Sequence, residues 1–281
     1  RSAGRSAAPG SEAAAPPCDG PGAARRAAQI LAWGGAGLAA AGVCQAVHLR
    51  MSYVQPVEPE GRRSGYAGQG LGGPPLRLLF VGDSVCMGIG AKIAAPLQKA
   101  CADRLAALRG RPVAWRTVGA AGADVRELCA MFQQRVEHDA EQPGCRGAFD
   151  IAVVLCGVND GKKFLQGRLP SAFGEDLAKL CFALRQAAPE GSIAVPCIPA
   201  LTEAPLLQLW PLRHLVDHFF QQFEAQKEAV AAADSLHCPT PPANTLPRPT
   251  DTRLWASDGI HPSGEGYAVI GEWLGSALAC V

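Results

Sequence analysis

A serine, a histidine and an aspartate stand at positions in this chain from which they could form a nucleophilic site. Ser84 ends a Gly-Asp-Ser sequence that follows the apolar run 76–81, which places its hydroxyl just past a buried strand. A serine hydroxyl is a weak nucleophile alone and needs a base and a group that orients that base. Asp258 and His261 are three residues apart, so one turn could present both side chains to the same side.

A side-chain amide stands after a second apolar run. The run 153–156 stops at Gly157, and Asn159 follows two residues later. Such an amide can donate a hydrogen bond to an oxyanion that develops during attack on a carbonyl. The three sequence regions around Ser84, Asn159 and His261 therefore predict covalent catalysis if the fold brings them into one cleft.

Short apolar runs alternate with longer amphipathic segments after Pro75, a pattern typical of β-α units and a mostly parallel sheet. The predicted strands are 76–81, 113–118, 151–156, 192–198 and a weaker one near 235–238. The predicted helices are 90–108, 124–136, 171–187, 204–233 with a bend or break at Pro211, and 264–279. Ligands of such sheets bind beyond the carboxyl ends of the strands, and Ser84, Gly122 and Asn159 each follow a predicted strand at that edge.

Composition restricts the class of partner. The 281 residues, 48% of them hydrophobic, suffice for one catalytic domain with an N-terminal extension. A formal net charge of +1, without a basic stripe interleaved with aromatics, argues against a nucleic-acid partner and favours a small molecule. The 11 cysteines have irregular spacings and no CxxC pair, which predicts neither a zinc site nor a disulfide framework and leaves the redox compartment open.

The N-terminal quarter predicts three segments before the catalytic domain at 76–281. Residues 1–24 are poor in large apolar groups and are expected to be disordered. Residues 25–50 form a hydrophobic segment, whose uncharged part 27–49 is about long enough to cross a bilayer. It could be a membrane anchor, an uncleaved signal, a targeting segment or a loosely packed helix, so the compartment stays open. Residues 51–75 are interpreted as a linker.

The domain resembles the SGNH (GDSL-type) hydrolase family, closest to its branch of small bacterial esterases. Four blocks match in order: Gly82-Asp83-Ser84, Gly119-Ala120-Ala121-Gly122, Gly157-Val158-Asn159-Asp160 and Asp258-Gly259-Ile260-His261-Pro262. Gly82 to Gly90 also matches the Gly-Asp-Ser-x-x-x-Gly-x-Gly start of that branch, with Val85 in place of the leucine of the GDSL name. The resemblance implies a three-layer α/β/α fold around a mostly parallel five-stranded sheet, similar to flavodoxin.

The resemblance also implies a mechanism without metal or other cofactor. Ser84 would attack an ester carbonyl, His261 would move the proton, and Asp258 would orient and stabilise the imidazole. The backbone N–H groups of Ser84 and Gly122 and the amide of Asn159 would hold the oxyanion. The implied substrate is a small-molecule ester or a lipid, and residues 27–49 suggest membrane association.

Other polar and aromatic residues are assigned supporting roles. Asp83 and Asp160 are expected to hold neighbouring groups by hydrogen bonds, not to react. Helical spacing in 206–223 assigns its aromatic residues to the core in preference to an acyl pocket. They include Trp210, Phe219 and Phe220. We expect structural roles for the histidines without a partner pattern, His214, His218 and His237.

Two other folds do not fit the motifs. A dinucleotide-binding domain needs a third small residue after Gly88-Ile89-Gly90, where Ile93 stands, and an acidic residue after Val118. An α/β-hydrolase needs a second glycine where Cys86 stands. An esterase remains, together with an acyltransferase that uses the same acyl-enzyme and a membrane-tethered binding protein without turnover.

Overall fold

The computed structural model describes residues 21–140, 149–197, 203–242 and 247–281, which include one five-stranded sheet in the order β1-β3-β2-β4-β5. The strands are β1 (Ser64–Ala67), β2 (Leu76–Gly82), β3 (Val113–Gly119), β4 (Ile151–Leu155) and β5 (Ser192–Ala194). Strand β1 is antiparallel to β3, and all other pairs are parallel. The predicted α/β fold with a mostly parallel sheet is confirmed.

Helices flank this sheet along the described ranges. They are α1 (Pro21–Ser52), α2 (Ser84–Met87), α3 (Pro96–Arg109), α4 (Val125–Ala140), α5 (Val158–Lys162), α6 (Pro170–Ala187), α7 (Leu212–Ala233) and α8 (Gly264–Leu278). Short 3-10 turns cover Phe164–Gln166, Pro205–Leu207 and Thr252–Leu254. The predicted break at Pro211 is present, because the turn at 205–207 and helix α7 replace the single helix expected for 204–233.

The central strand β2 has two core-facing sides because successive side chains of a strand alternate between the faces of the sheet. Leu78 and Phe80 are buried in a cluster with residues of α3 and α8. Leu79 and Val81 are buried in a second cluster with residues of α4, α6 and α7. Both faces of the sheet are thus covered by helices, which gives the three layers.

Two predictions about the edges of the sheet are wrong. Residues 64–67, which we assigned to a linker, form edge strand β1, and Gly65 lies against the ring of Trp115. The segment 235–238 contributes only an isolated parallel bridge between His237 and Ala194, not a strand. Strand β5 ends at Ala194, and position 198 of the predicted strand lies outside the described residues.

The hydrophobic segment 27–49 is part of helix α1, which also includes residues 21–24 of the segment that we expected to be disordered. The rest of that segment lies outside the described residues. No helix in the described ranges combines the length and the apolarity needed to span a bilayer. Membrane association through residues 27–49 stays a prediction.

Candidate active site

Ser84 stands where strand β2 turns into the short helix α2. Asp83 caps this helix, because its Oδ1 accepts a hydrogen bond from the N–H of Val85 at 3.1 Å. The neighbouring strands end alongside, since Gly82 pairs with Gly119 on one side and with Leu155 on the other. The loops after β2, β3 and β4 therefore emerge together at the carboxyl edge of the sheet.

Two glycines allow close approach of backbone around Ser84. A Cβ atom on Gly119 would lie 1.8 Å from the carbonyl oxygen of Gly82, so no larger residue fits between β2 and β3 there. Gly90 has a φ of 94° and packs against His261 and Pro262, where an added Cβ would lie 2.9 Å from the Pro262 oxygen. Gly119 therefore allows β2 and β3 to lie close together, and Gly90 allows the serine loop to contact the histidine loop.

Ser84, His261 and Asp258 form a continuous series of hydrogen bonds. Nε2 of His261 lies 3.0 Å from Oγ of Ser84, and Nδ1 lies 2.6 Å from Oδ2 of Asp258. A carboxylate only accepts hydrogen bonds, so Nδ1 of the neutral ring carries the proton and donates a hydrogen bond to Asp258. Nε2 is then free to accept from the Ser84 hydroxyl, which is the arrangement that a general base requires.

The Asp258 carboxylate is held ionised in a nearly closed environment, with 3% of its side chain exposed. Oδ1 accepts hydrogen bonds from the N–H groups of Ile260 and His261, at 3.1 and 3.0 Å. Burial favours the protonated form, but the hydrogen bond from the His261 ring and these two N–H groups lower the pKa of Asp258 to about 2. A negative charge is therefore available at neutral pH to stabilise an imidazolium.

Asn159 lies in helix α5, directly after β4, and its amide ties three loops together. Nδ2 donates to Oδ2 of Asp83 at 3.1 Å and to the carbonyl oxygen of Ala123 at 3.0 Å. Oδ1 accepts from Nζ of Lys162 at 3.3 Å. Burial raises the pKa of Asp83. Asp83 supports Asn159 and α2 by hydrogen bonds, as the sequence predicted.

Gly122 is in the turn after β3, exposed to solvent, with a φ of 82°. Its turn leads directly to Ala123, whose carbonyl oxygen contacts the amide of Asn159. Neither the N–H of Gly122 nor that of Ser84 donates to another backbone group in the described ranges. Both N–H groups remain available as donors at this edge of the sheet.

A pocket with a volume of about 110 Å³ opens beside Ser84 and His261. Apolar parts of its wall come from Val158, Phe220, Ile260 and Ile270. The assignment of the 206–223 aromatics to the core is wrong for two residues, because Phe220 lines this pocket and Trp210 is 65% exposed. Phe219 packs against the core as predicted.

Two lysines outside the sequence motifs, Lys162 and Lys227, also line the pocket. Lys227 is buried and forms an ion pair with Glu224 at 2.8 Å. Burial opposes the positive charge, but Glu224 outweighs it and raises the pKa of Lys227. Burial lowers the pKa of Lys162, against the attraction of Asp83 and Asp258. No spacing rule connects these lysines to the serine motif, so sequence patterns gave no signal for them.

A buried ion pair joins Asp160 of helix α5 to Arg168. Asp160 is fully buried, its Oδ2 accepts from the N–H of Val125 at 3.1 Å, and Arg168 donates twice to its Oδ1 at 2.8 and 3.0 Å. Arg168 also contacts Asp176 at 2.6 Å. Asp160 thus has the supporting hydrogen bonds that the sequence predicted.

Arg168→Met is expected to destabilise the fold by about 3–5 kcal/mol, because it leaves the Asp160 carboxylate buried without its counter-charge. Chemical denaturation monitored by circular dichroism measures the difference. Lys179→Met is the matched control, since Lys179 also pairs with Asp176 but is 69% exposed, and it should leave the midpoint unchanged. Equal unfolding free energies for the two variants would contradict the prediction.

In the described part of the chain, no cluster of three or more His, Cys, Asp and Glu side chains could hold a metal ion. At the carboxyl edge of the sheet, the hydroxyl of Ser84, the imidazole of His261 and the carboxylate of Asp258 are in hydrogen-bond contact. The family described as GDSL-like Lipase/Acylhydrolase matches residues 80–269, and the chain belongs to this family of hydrolases.

Solved structures with the same fold include lipases and an esterase. The lipase/acylhydrolase from Enterococcus faecalis is 17% identical with a TM-score of 0.55, covering 73% of this chain and 96% of that one. The lipase Lip_vut3 from a goat rumen metagenome is 16% identical with a TM-score of 0.55, covering 72% and 97%. The psychrotrophic esterase EstA from Pseudoalteromonas sp. is 14% identical with a TM-score of 0.52, covering 72% and 96%. Comparison with curated proteins gives no match.

Proposed function

We propose that this chain hydrolyses carboxylic esters through an acyl-enzyme on Ser84. The observation that carries the proposal is the contact of 3.0 Å between the Ser84 hydroxyl and Nε2 of a His261 ring whose other nitrogen is bonded to Asp258. The ring takes the hydroxyl proton as Oγ attacks the ester carbonyl, and Asp258 stabilises the resulting imidazolium. The imidazolium then returns the proton to the leaving alcohol.

Water completes the cycle by the same groups. His261 removes a proton from a water molecule, the hydroxide attacks the acyl carbonyl, and the free acid leaves as Ser84 recovers its proton. In both acylation and deacylation the oxyanion would accept hydrogen bonds from the N–H groups of Ser84 and Gly122 and from Asn159. Both N–H bonds of Asn159 Nδ2 already donate to protein oxygens, so the oxyanion would share or replace one of those acceptors.

An alkyl fluorophosphonate tests the nucleophile directly. We expect one adduct per folded chain, mapped by tandem mass spectrometry to the peptide that contains Ser84, and none after heat denaturation. Release of free acid from p-nitrophenyl acetate, without acyl transfer to added alcohol, distinguishes a hydrolase from a transferase. No adduct on folded protein, or an adduct on another residue, would refute the proposal.

The size of the pocket favours a short acyl group. Its volume of about 110 Å³ is well below the roughly 300–1,000 Å³ of pockets for drug-sized ligands. Phe220 limits it on one side and packs closely over Gly161, where an added Cβ would lie 2.6 Å from the ring. A long acyl chain would therefore need this ring to move.

We expect kcat/KM for p-nitrophenyl esters to fall by at least about tenfold from the acetate to the octanoate, as overpacking of a filled site predicts. Phe220→Leu should reduce this preference by enlarging the pocket. Phe182→Leu is a control, because Phe182 is 65% exposed on helix α6. A flat chain-length profile for the unmodified protein would disprove the short-acyl proposal while leaving the Ser84 mechanism intact.

A further inference from the structure

A tyrosine outside the region that matches the family contacts the acid of the proposed triad. Tyr53 follows helix α1, and its hydroxyl donates to Oδ2 of Asp258 at 2.9 Å. The same hydroxyl lies 3.3 Å from Nδ1 of His261. Tyr53 precedes the matched region 80–269 by 27 residues of chain, so the motif carries no information about it.

Tyr53 completes the set of donors around the carboxylate. Oδ1 of Asp258 receives two backbone N–H groups, and Oδ2 receives the ring N–H of His261 together with the phenol of Tyr53. A carboxylate has about four lone-pair sites, all of which are thus in use. The phenol and the imidazole share one oxygen, so a change in one bond alters the other.

The packing of α1 on α7 places Tyr53 at this position. Nε2 of Gln45 donates to the carbonyl oxygen of Trp210 at 2.9 Å, and its Oε1 accepts from the N–H of Leu212 at 3.2 Å. Gly42 faces Leu215 so closely that an added Cβ would lie 2.3 Å from its side chain. The N-terminal helix is therefore docked on the domain just before the chain reaches Tyr53.

Burial and the neighbouring Asp258 carboxylate raise the pKa of Tyr53. The phenol keeps its proton at every pH at which an imidazole base could work, and so it acts as a permanent donor. A donor to Oδ2 restricts rotation of the Asp258 carboxylate. It also withdraws part of the negative charge that would stabilise an imidazolium.

We propose that Tyr53 is a positioning residue that orients Asp258 and limits how strongly the Asp258–His261 pair retains a proton. This inference rests on the proposed function of the Ser84 site. It assigns to the segment before the family domain a supporting part in that site. Tyr53 acts through Asp258 and touches no reacting atom.

Other ionisable groups act electrostatically on the Asp258–His261 pair or on its immediate neighbours. They are Asp83, Lys162, Tyr267, Arg50 and Lys227. All of these groups are present in both Tyr53→Phe and Tyr66→Phe. None of them is changed by Tyr53→Phe, so a shifted pH dependence reports the lost hydroxyl.

The test compares Tyr53→Phe with Tyr66→Phe in the full chain, by the pH profile of kcat/KM for p-nitrophenyl acetate. Tyr66 is 48% exposed on edge strand β1, so its replacement makes the same chemical change away from the site. Without the phenol, the carboxylate stabilises the imidazolium more, so the acidic limb of Tyr53→Phe should move up by about half a pH unit. The plateau should fall by about fivefold because the carboxylate is less well oriented.

A second measurement separates failure of this inference from failure of the esterase proposal. In protein labelled with ¹⁵N-histidine, the Nδ1 proton of His261 bonded to Asp258 is observed without turnover. Tyr53→Phe should shift this resonance, whereas Tyr66→Phe should not. If the unmodified chain hydrolyses no ester, the proposed esterase function is refuted. The shift of the Nδ1 resonance alone then decides the role of Tyr53.

The docking of α1 supplies a double-mutant test. Gln45→Ala removes the hydrogen bonds to Trp210 and to Leu212 at the start of α7. It should displace the acidic limb in the same direction by a smaller amount. In the Tyr53→Phe background, the same substitution should have no further effect. If Tyr53→Phe and Tyr66→Phe give superimposable profiles and resonances, the proposal is overturned.

Discussion

Ser84→Ala is expected to lower kcat/KM for ester hydrolysis by at least about 10⁴-fold. The substitution removes one atom, the Oγ that lies 3.0 Å from His261 Nε2, and with it the group placed to form the acyl bond. The residual rate would come from substrate binding and the oxyanion donors alone. Labelling by the fluorophosphonate should disappear completely.

The fold should not suffer from this substitution. Helix α2 is capped by the side chain of Asp83, not by Ser84, so alanine keeps the local backbone hydrogen bonds. Thermal unfolding should therefore match that of the unmodified chain. Ser64→Ala on the exposed edge of β1 is the control. Turnover by Ser84→Ala within tenfold of that control would exclude an acyl-enzyme on Ser84.

The sequence predicted the parts of this molecule that depend on short-range pattern. Buried strands such as β2 and β4 appear as apolar runs, and their ends are marked by glycine and by the polar residues that follow. Parallel pairing brings those ends to one edge, so the pattern alone was enough to expect Ser84 and Asn159 near each other. Local spacing likewise indicated that Asp258 and His261 work as a pair.

Elements that depend on contacts distant in sequence gave no comparable signal. Strand β1 has only four residues, in a stretch rich in glycine and proline, and it forms because it pairs with β3 and covers Trp115. The segment 235–238, where a weaker strand was predicted, makes a single bridge to β5. In both cases tertiary contacts, not the propensity of the segment, decide the structure.

Two residues of the site were not predicted, because their contacts are also distant in sequence. Tyr53 and Asp258 are 205 positions apart in sequence, and no period or motif connects them. Phe220 has the spacing of a core residue on helix α7, yet it lies where the helix faces the pocket. A helical pattern identifies an apolar face, but it does not say whether that face meets the core or a cleft.

Asp258→Asn is expected to reduce kcat by about 10⁴-fold while leaving the fold intact. An asparagine Oδ1 can still accept from the N–H groups of Ile260 and His261, at the present 3.1 and 3.0 Å. Its amide nitrogen would then face Nδ1 of the ring, donor against donor. The ring avoids this by carrying its proton on Nε2, which leaves nothing to accept the proton of Ser84.

The pH dependence distinguishes this tautomer effect from simple loss of charge. Because the pKa of Asp258 is about 2, the carboxylate stays ionised well into the acidic range, and its own protonation should not set the acidic limb of the unmodified chain. In Asp258→Asn the loss should persist on the alkaline plateau, where the base is already deprotonated. Asp251→Asn, an exposed acid on the same segment, is the control. Recovery of full activity by Asp258→Asn at high pH would contradict the orientation of His261 by Asp258.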